Sequence, residues 1–107
     1  MRVETTLQKI LITALDLPWD HHLYLETGLI ALQHKALVLN DDEEVERNDK
    51  DEPIYATSRG FSYYLNMQDV QSVVENARSQ VNEPSLAQLF EALKHYHDRD
   101  SYIEFKR

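Results

Sequence analysis

The stretch Lys35–Pro53, "KALVLNDDEEVERNDKDEP", governs how the rest of the chain is read. In its first six residues Leu37 and Leu39 fall on one side of an extended backbone, and Ala36 and Val38 on the other. Side chains alternate along a strand, so apolar residues on both sides describe a central strand covered on both faces. Such a strand needs neighbours beside it and helices over it. The remainder of the stretch is opposite in character. Between Asp41 and Glu52 eight acids stand against Arg47 and Lys50, a net −6 of the chain's −8. This run, residues 41–52, reads as an acidic loop between the strand and whatever Pro53 begins.

Upstream, "HHLYLE" alternates Leu23 and Leu25 against His22, Tyr24 and Glu26, the pattern of a half-buried strand, with Thr27-Gly28 as its turn. Before it, Thr5 or Thr6 can cap a helix whose apolar stripe is Leu7, Ile10, Leu11, Ala14 and Leu15. Pro18 ends that helix. Trp19 beside it is expected to be a buried lid rather than an exposed anchor.

Downstream, "PIYATSRG" has proline at its start and glycine at its end, the signature of a short helix. "FSYYLN" is a further strand, with Phe61, Tyr63 and Leu65 expected on one face and Ser62 and Tyr64 on the other. Asn66 can cap the next helix, with Asp69 in its first turn and Val70, Val73, Val74, Ala77 and Val81 inward. "NEP" breaks it. Ser85 and Gln88 then form a capping box for a last helix with a stripe of Leu86, Leu89, Phe90 and Leu93. "SYIEF" closes the chain as an expected terminal strand, with Ile103 and Phe105 on one face.

The expected order is α-β-β-(acidic loop)-short α-β-α-α-β, without internal repeats. Uneven blocks of strands and helices specify an α+β fold: a sheet of roughly four strands, mostly antiparallel, with three main helices packed on it. A length of 107 residues fits a single domain over 1–107. The 42% hydrophobic content supports one core without staples. With no cysteine there is no disulfide, thiolate metal site or thiol nucleophile. The N-terminus lacks the apolar run of a signal peptide or membrane span, so a cytoplasmic location is expected, with no membrane partner. The acidic balance argues against direct nucleic-acid binding, which needs clustered lysine and arginine.

No motif announces a reaction. With two glycines in the chain, Gly28 and Gly60, there is no phosphate loop, dinucleotide fingerprint or nucleophile elbow. His95 and His97 are two apart on a helix, pointing roughly 200° away from each other, and cannot share a metal as an i, i+4 pair does. Near a helix C-terminus they read as charge complements to the helix dipole. Asp98 and Asp100 read as turn formers. His21 and His22 would point to opposite faces of a strand, and His34 stands alone. A calcium loop starting at Asp41 would find acids at Glu43, Asp49 and Glu52. But Val45 takes a ligand position, and Glu46 stands where the sharp turn requires glycine. No cofactor or metal is expected.

Two readings of the acidic run stay open: a solvated coil spanning about 20 Å, or a docking surface for a basic protein. In the second, Asp41, Asp42, Glu43, Glu44, Glu46, Asp49, Asp51 and Glu52 are the partner-binding residues. Val45, the lone apolar residue among them, packs back or serves as a contact.

The C-terminal half, "YYLNMQDVQSVVENARSQVNEPSLAQLFEALKHYHDRDSYIEF", with "LPWD" and "PIYATSRGF" before it, resembles a group of short acidic bacterial proteins. These are similar to the immunity proteins found beside polymorphic toxins, including those of contact-dependent growth inhibition systems. The resemblance implies a non-enzymatic protein that binds and neutralises a cognate basic toxin domain, often a nuclease, by occluding its active site or substrate cleft. It implies a monomer or weak dimer in isolation. The alternatives are a general acidic interaction module or nucleic-acid mimic and, further off, a small histidine-dependent hydrolase.

Overall fold

The computed structural model describes residues 2–105. Four strands, β1 (Val3–Thr6), β2 (His22–Glu26), β3 (Lys35–Leu39) and β4 (Phe61–Asn66), form one antiparallel sheet in the order β1-β3-β2-β4. Three main helices, α1 (Leu7–Thr13), α3 (Met67–Gln80) and α4 (Leu86–Arg99), pack on one face, and the short α2 (Ile54–Thr57) lies on the other. This is the expected α+β architecture.

The helix-covered face holds the main core. Leu23 and Leu25 of β2 and Ala36 and Val38 of β3 meet the inward stripes of the helices, including Leu7, Ile10, Val70, Val74 and Leu93. On the opposite face Tyr24, Leu37 and Leu39 pack with Ala56 and Phe61 in a smaller second core. β3 is thus covered on both sides as its composition requires, and so is β2, where Leu23, Tyr24 and Leu25 are all buried. The expectation of a half-buried strand there fails because Tyr24 has a second core to enter.

Helix starts obey the local chemistry. The Thr6 hydroxyl accepts from the Lys9 amide, while the Leu7 and Gln8 amides donate to the carbonyls of His34 and Leu32. Three donors that a helix leaves unpaired are thereby satisfied, two of them by the loop before β3. Asn66 Oδ1 accepts from the Asp69 amide at 2.7 Å, and Ser85 and Gln88 make the reciprocal capping box.

The structure corrects the expected element order at both ends. Val3–Thr6 forms β1, pairing with β3, so the edge strand comes from the N-terminus. Residues 101–105 form no strand. Instead the Gln80 side chain donates to the Ile103 carbonyl at 2.7 Å and accepts from the Phe105 amide at 3.0 Å. A single amide side chain thus imitates a ladder partner. In β4, Leu23 pairs with Leu65 and Tyr24 with Tyr63, which leaves Tyr64 as an extra, bulged residue. The bulge turns Tyr64 and Leu65 toward the main core and separates Leu65 from Phe61 and Tyr63, against the simple alternation. Leu15 leaves the α1 stripe because the helix tightens to a 3₁₀ turn over Ala14–Asp16. Trp19 is 65% exposed, correcting the expected lid.

Candidate functional site: the acidic loop and the cleft beneath it

The free-coil picture of residues 41–52 is overturned. Asn40 Oδ1 accepts from the Asp42 amide at 3.0 Å and starts a 3₁₀ turn, Asp41–Glu43. The chain then doubles back as a short hairpin. Arg47 bridges to Pro53, and the Ile54 amide donates to the Glu46 carbonyl at 3.0 Å. Its tip is closed by Asn48, whose side-chain oxygen accepts from the Lys50 and Glu52 amides and whose carbonyl accepts from the Asp51 amide. Asp51 takes a positive φ of 61°, a left-handed conformation that aspartate tolerates better than most residues.

One arginine closes the loop on itself and a second ties it to the fold. The Arg47 guanidinium donates to the backbone carbonyls of Asp41 and Asp51 and lies 3.1 Å from an Asp41 carboxylate oxygen. Arg2, entering β1, donates twice to Glu44, at 2.9 and 3.1 Å, in the fork geometry that makes such pairs strong. Its guanidinium also lies over the Tyr55 ring, 3.9 Å from the centroid, with that of Arg59 4.2 Å away. Like charges that would extend a free coil are held by two cations in one shape.

This divides the eight acids. Asp41, Glu44 and Glu52 are partly buried and tied into the loop: Asp41 to Arg47, Glu44 to Arg2, and Glu52 to Asn48. Asp42, Glu43, Glu46 and Asp49 are exposed and, among the described residues, in no ion pair, and Asp51 has an outward side chain. Val45 among them is 91% exposed and does not pack back on the fold.

Beneath the hairpin lies a cleft of about 320 Å³, between the loop and the strands of the second face. Tyr24, Tyr63 and His22 line it from the sheet, and Asp41, Asp51, Glu52 and Pro53 from the loop. The two tyrosine rings meet edge to face at 5.6 Å, and the Asp41 amide donates to His22 Nδ1 at 3.3 Å. Burial, reinforced by the Asp41 carboxylate, pushes the Tyr24 hydroxyl well above the usual phenol range. The burial of Tyr24 and the bulge in β4 are what sequence reasoning missed here. For the closed loop a signal was available in "NDKD", a run of turn formers that favours a hairpin over a coil.

The remaining histidines that make contacts do so with local partners. His97 stacks flat on Tyr64 at 3.9 Å, while His95 Nδ1 bonds the Ser101 carbonyl. Burial also pushes the Tyr64 hydroxyl upward. His21 pairs with Asp20 at 2.9 Å, but its Nε2 is sealed from solvent and unpartnered, beyond a substrate's reach. Asp100 adopts the left-handed conformation that terminates α4, as a turn former should. Among the described residues, no three His, Asp or Glu side chains converge as metal ligands.

The family described as Domain of unknown function (DUF7716) matches residues 4–105. The chain belongs to this family. The match takes in the sheet apart from Val3, the acidic hairpin and all three main helices, so loop and scaffold lie within one family unit. No curated protein and no solved structure matches the chain. Among the described residues of this family member, no helix is long and apolar enough to cross a membrane.

Proposed function

We propose that this protein is an immunity-type inhibitor, acting in the cytoplasm, that docks its acidic hairpin on a basic toxin domain, a nuclease by preference, and blocks its active site or substrate cleft. The observation that carries the reading is the hairpin itself. Arg2 and Arg47 hold it in one shape, and along it stand the exposed Val45 and four carboxylates, Asp42, Glu43, Glu46 and Asp49, that form no ion pair among the described residues.

A nuclease cleft must be positive to hold phosphates, so a rigid negative projection matches it in charge. Concentrated negative charge accelerates association by roughly 10 to 10³ at low salt. Fixing the loop beforehand removes an ordering cost that a free coil would meet on binding. Val45 supplies an apolar contact of the kind that charge alone cannot give, because steering sets the rate and desolvated anchors set the lifetime.

The test is capture of the partner from the native organism, then co-expression of the captured domain with this chain. The expected outcome is rescue from toxicity and a one-to-one complex, with the free protein a monomer or weak dimer. Several basic partners bound modestly, with no rescue, would leave a general acidic interaction module and contradict the inhibitor.

A further inference from the structure

The cleft under the hairpin has a chemistry of its own. Tyr24 is only 3% exposed, yet no hydrogen bond joins its hydroxyl to any described residue, and the side chain lines the cleft. The hydroxyl is not among the sealed, unpartnered polar atoms, so the little of Tyr24 that is exposed opens on the cleft, where a ligand can bond it. Tyr63, half-exposed, turns a ring toward the same space, with His22 6.1 Å away. Asp41, Asp51 and Glu52 rim it, three carboxylates against the single guanidinium of Arg47.

The geometry points to a recognition pocket for one arginine side chain of the partner, its guanidinium against the Tyr63 ring and bonded to Asp51 and the Tyr24 hydroxyl. This deepens the docking reading and rests on it for the nature of the partner. Each feature excludes something else. The rim repels phosphates and carboxylates. Among the described residues no set of ligands converges on an ion, so a bare metal finds no cage. An aliphatic side chain would offer nothing to the Tyr24 hydroxyl or to the Asp51 carboxylate, which meets Arg47 only at 3.7 Å. A guanidinium answers all three demands, being flat enough to stack on a ring and carrying five N–H donors in a fixed fork. The chain already holds guanidinium groups this way, Arg47 between Asp41 and Asp51, and Arg2 and Arg59 against Tyr55. The raised pKa of Tyr24 keeps its hydroxyl neutral, with an oxygen free to accept.

The test needs no toxin. The intact protein is titrated with N-acetyl-arginine methylamide and followed by amide NMR shifts, with the lysine and citrulline analogues as controls. Saturable shifts are expected at His22, Tyr24, Asp41, Asp51 and Tyr63, about fivefold weaker binding with lysine, and none with citrulline. Tyr24→Phe, which keeps the ring and the core, should weaken arginine binding several-fold with the spectrum otherwise unchanged, and Asp51→Asn likewise. Absence of saturable shifts at these residues overturns the proposal, as does equal response to citrulline or lysine, or unchanged affinity in Tyr24→Phe. Failure here leaves the rescue experiment untouched, whereas failure of rescue with arginine binding intact rejects the inhibitor and keeps the pocket.

Discussion

At Arg47 one guanidinium reaches the carbonyls of Asp41 and Asp51, the two ends of the turned segment, and an Asp41 carboxylate oxygen as well. Its side chain keeps about a quarter of its exposure, so its ion pairs are partly screened, and the backbone contacts carry most of its effect. Arg47→Gln is expected to cost about 1 kcal/mol of stability. Amide exchange at Asn48, Lys50, Asp51, Glu52 and Ile54 should quicken about fivefold while β2 and β3 stay protected. Protection unchanged at the hairpin would show that Asn48 and Pro53 suffice. Tyr24 makes a second prediction at this scale. An unfolded tyrosine ionises near pH 10, but in the folded protein burial holds the hydroxyl neutral to higher pH. The unfolded state therefore loses its proton first, and stability falls as pH rises above about 10 toward the folded value. Thermal midpoints of Tyr24→Phe measured against alkaline pH should decline less steeply than those of the natural protein, and an equal decline would contradict the assignment.

At the scale of elements, much of the fold was legible where a local signal and a buried face agreed. Thr6, Asn66 and Ser85 each cap the helix they precede, and β3 carries apolar residues on both sides because both sides are covered. The missed strand pairings share a cause: the deciding partner lies far along the chain. "VETT" carries no strong strand pattern and becomes β1 because β3 offers it a free edge. "SYIEF" has the pattern and lacks the partner, since Gln80 already satisfies Ile103 and Phe105. Tyr64 is bulged by its pairing with β2, which no alternation in β4 announces. The acidic hairpin had a local signal in its turn formers, but its tie to the sheet shows only once folded: Arg2 stands 42 residues from Glu44. Gln80→Ala should release residues 103–105, with faster exchange there and a loss of about 1–2 kcal/mol, leaving the sheet unchanged. If those amides exchange as before, packing of Phe105 on the main core holds the segment instead.

In the whole molecule, helices cover one face of the sheet, and α2 with the acidic hairpin covers the other. That asymmetry separates two duties. The helix side supplies the main core, and the hairpin side carries the charge, with the cleft and Val45 beside it. It also separates the acids that build the surface from those that face a partner. Neutralising Asp41 or Glu44 would loosen the loop and confuse structure with docking, so the informative residues are Asp42, Glu43, Glu46 and Asp49. The decisive measurement is the association rate with the captured toxin domain across a range of salt, comparing the natural protein with the variant carrying Asp42→Asn, Glu43→Gln, Glu46→Gln and Asp49→Asn. The account predicts an association rate lower by at least about tenfold at low salt and a much shallower salt dependence in the variant. An unchanged rate and an unchanged salt slope would contradict docking through the acidic hairpin.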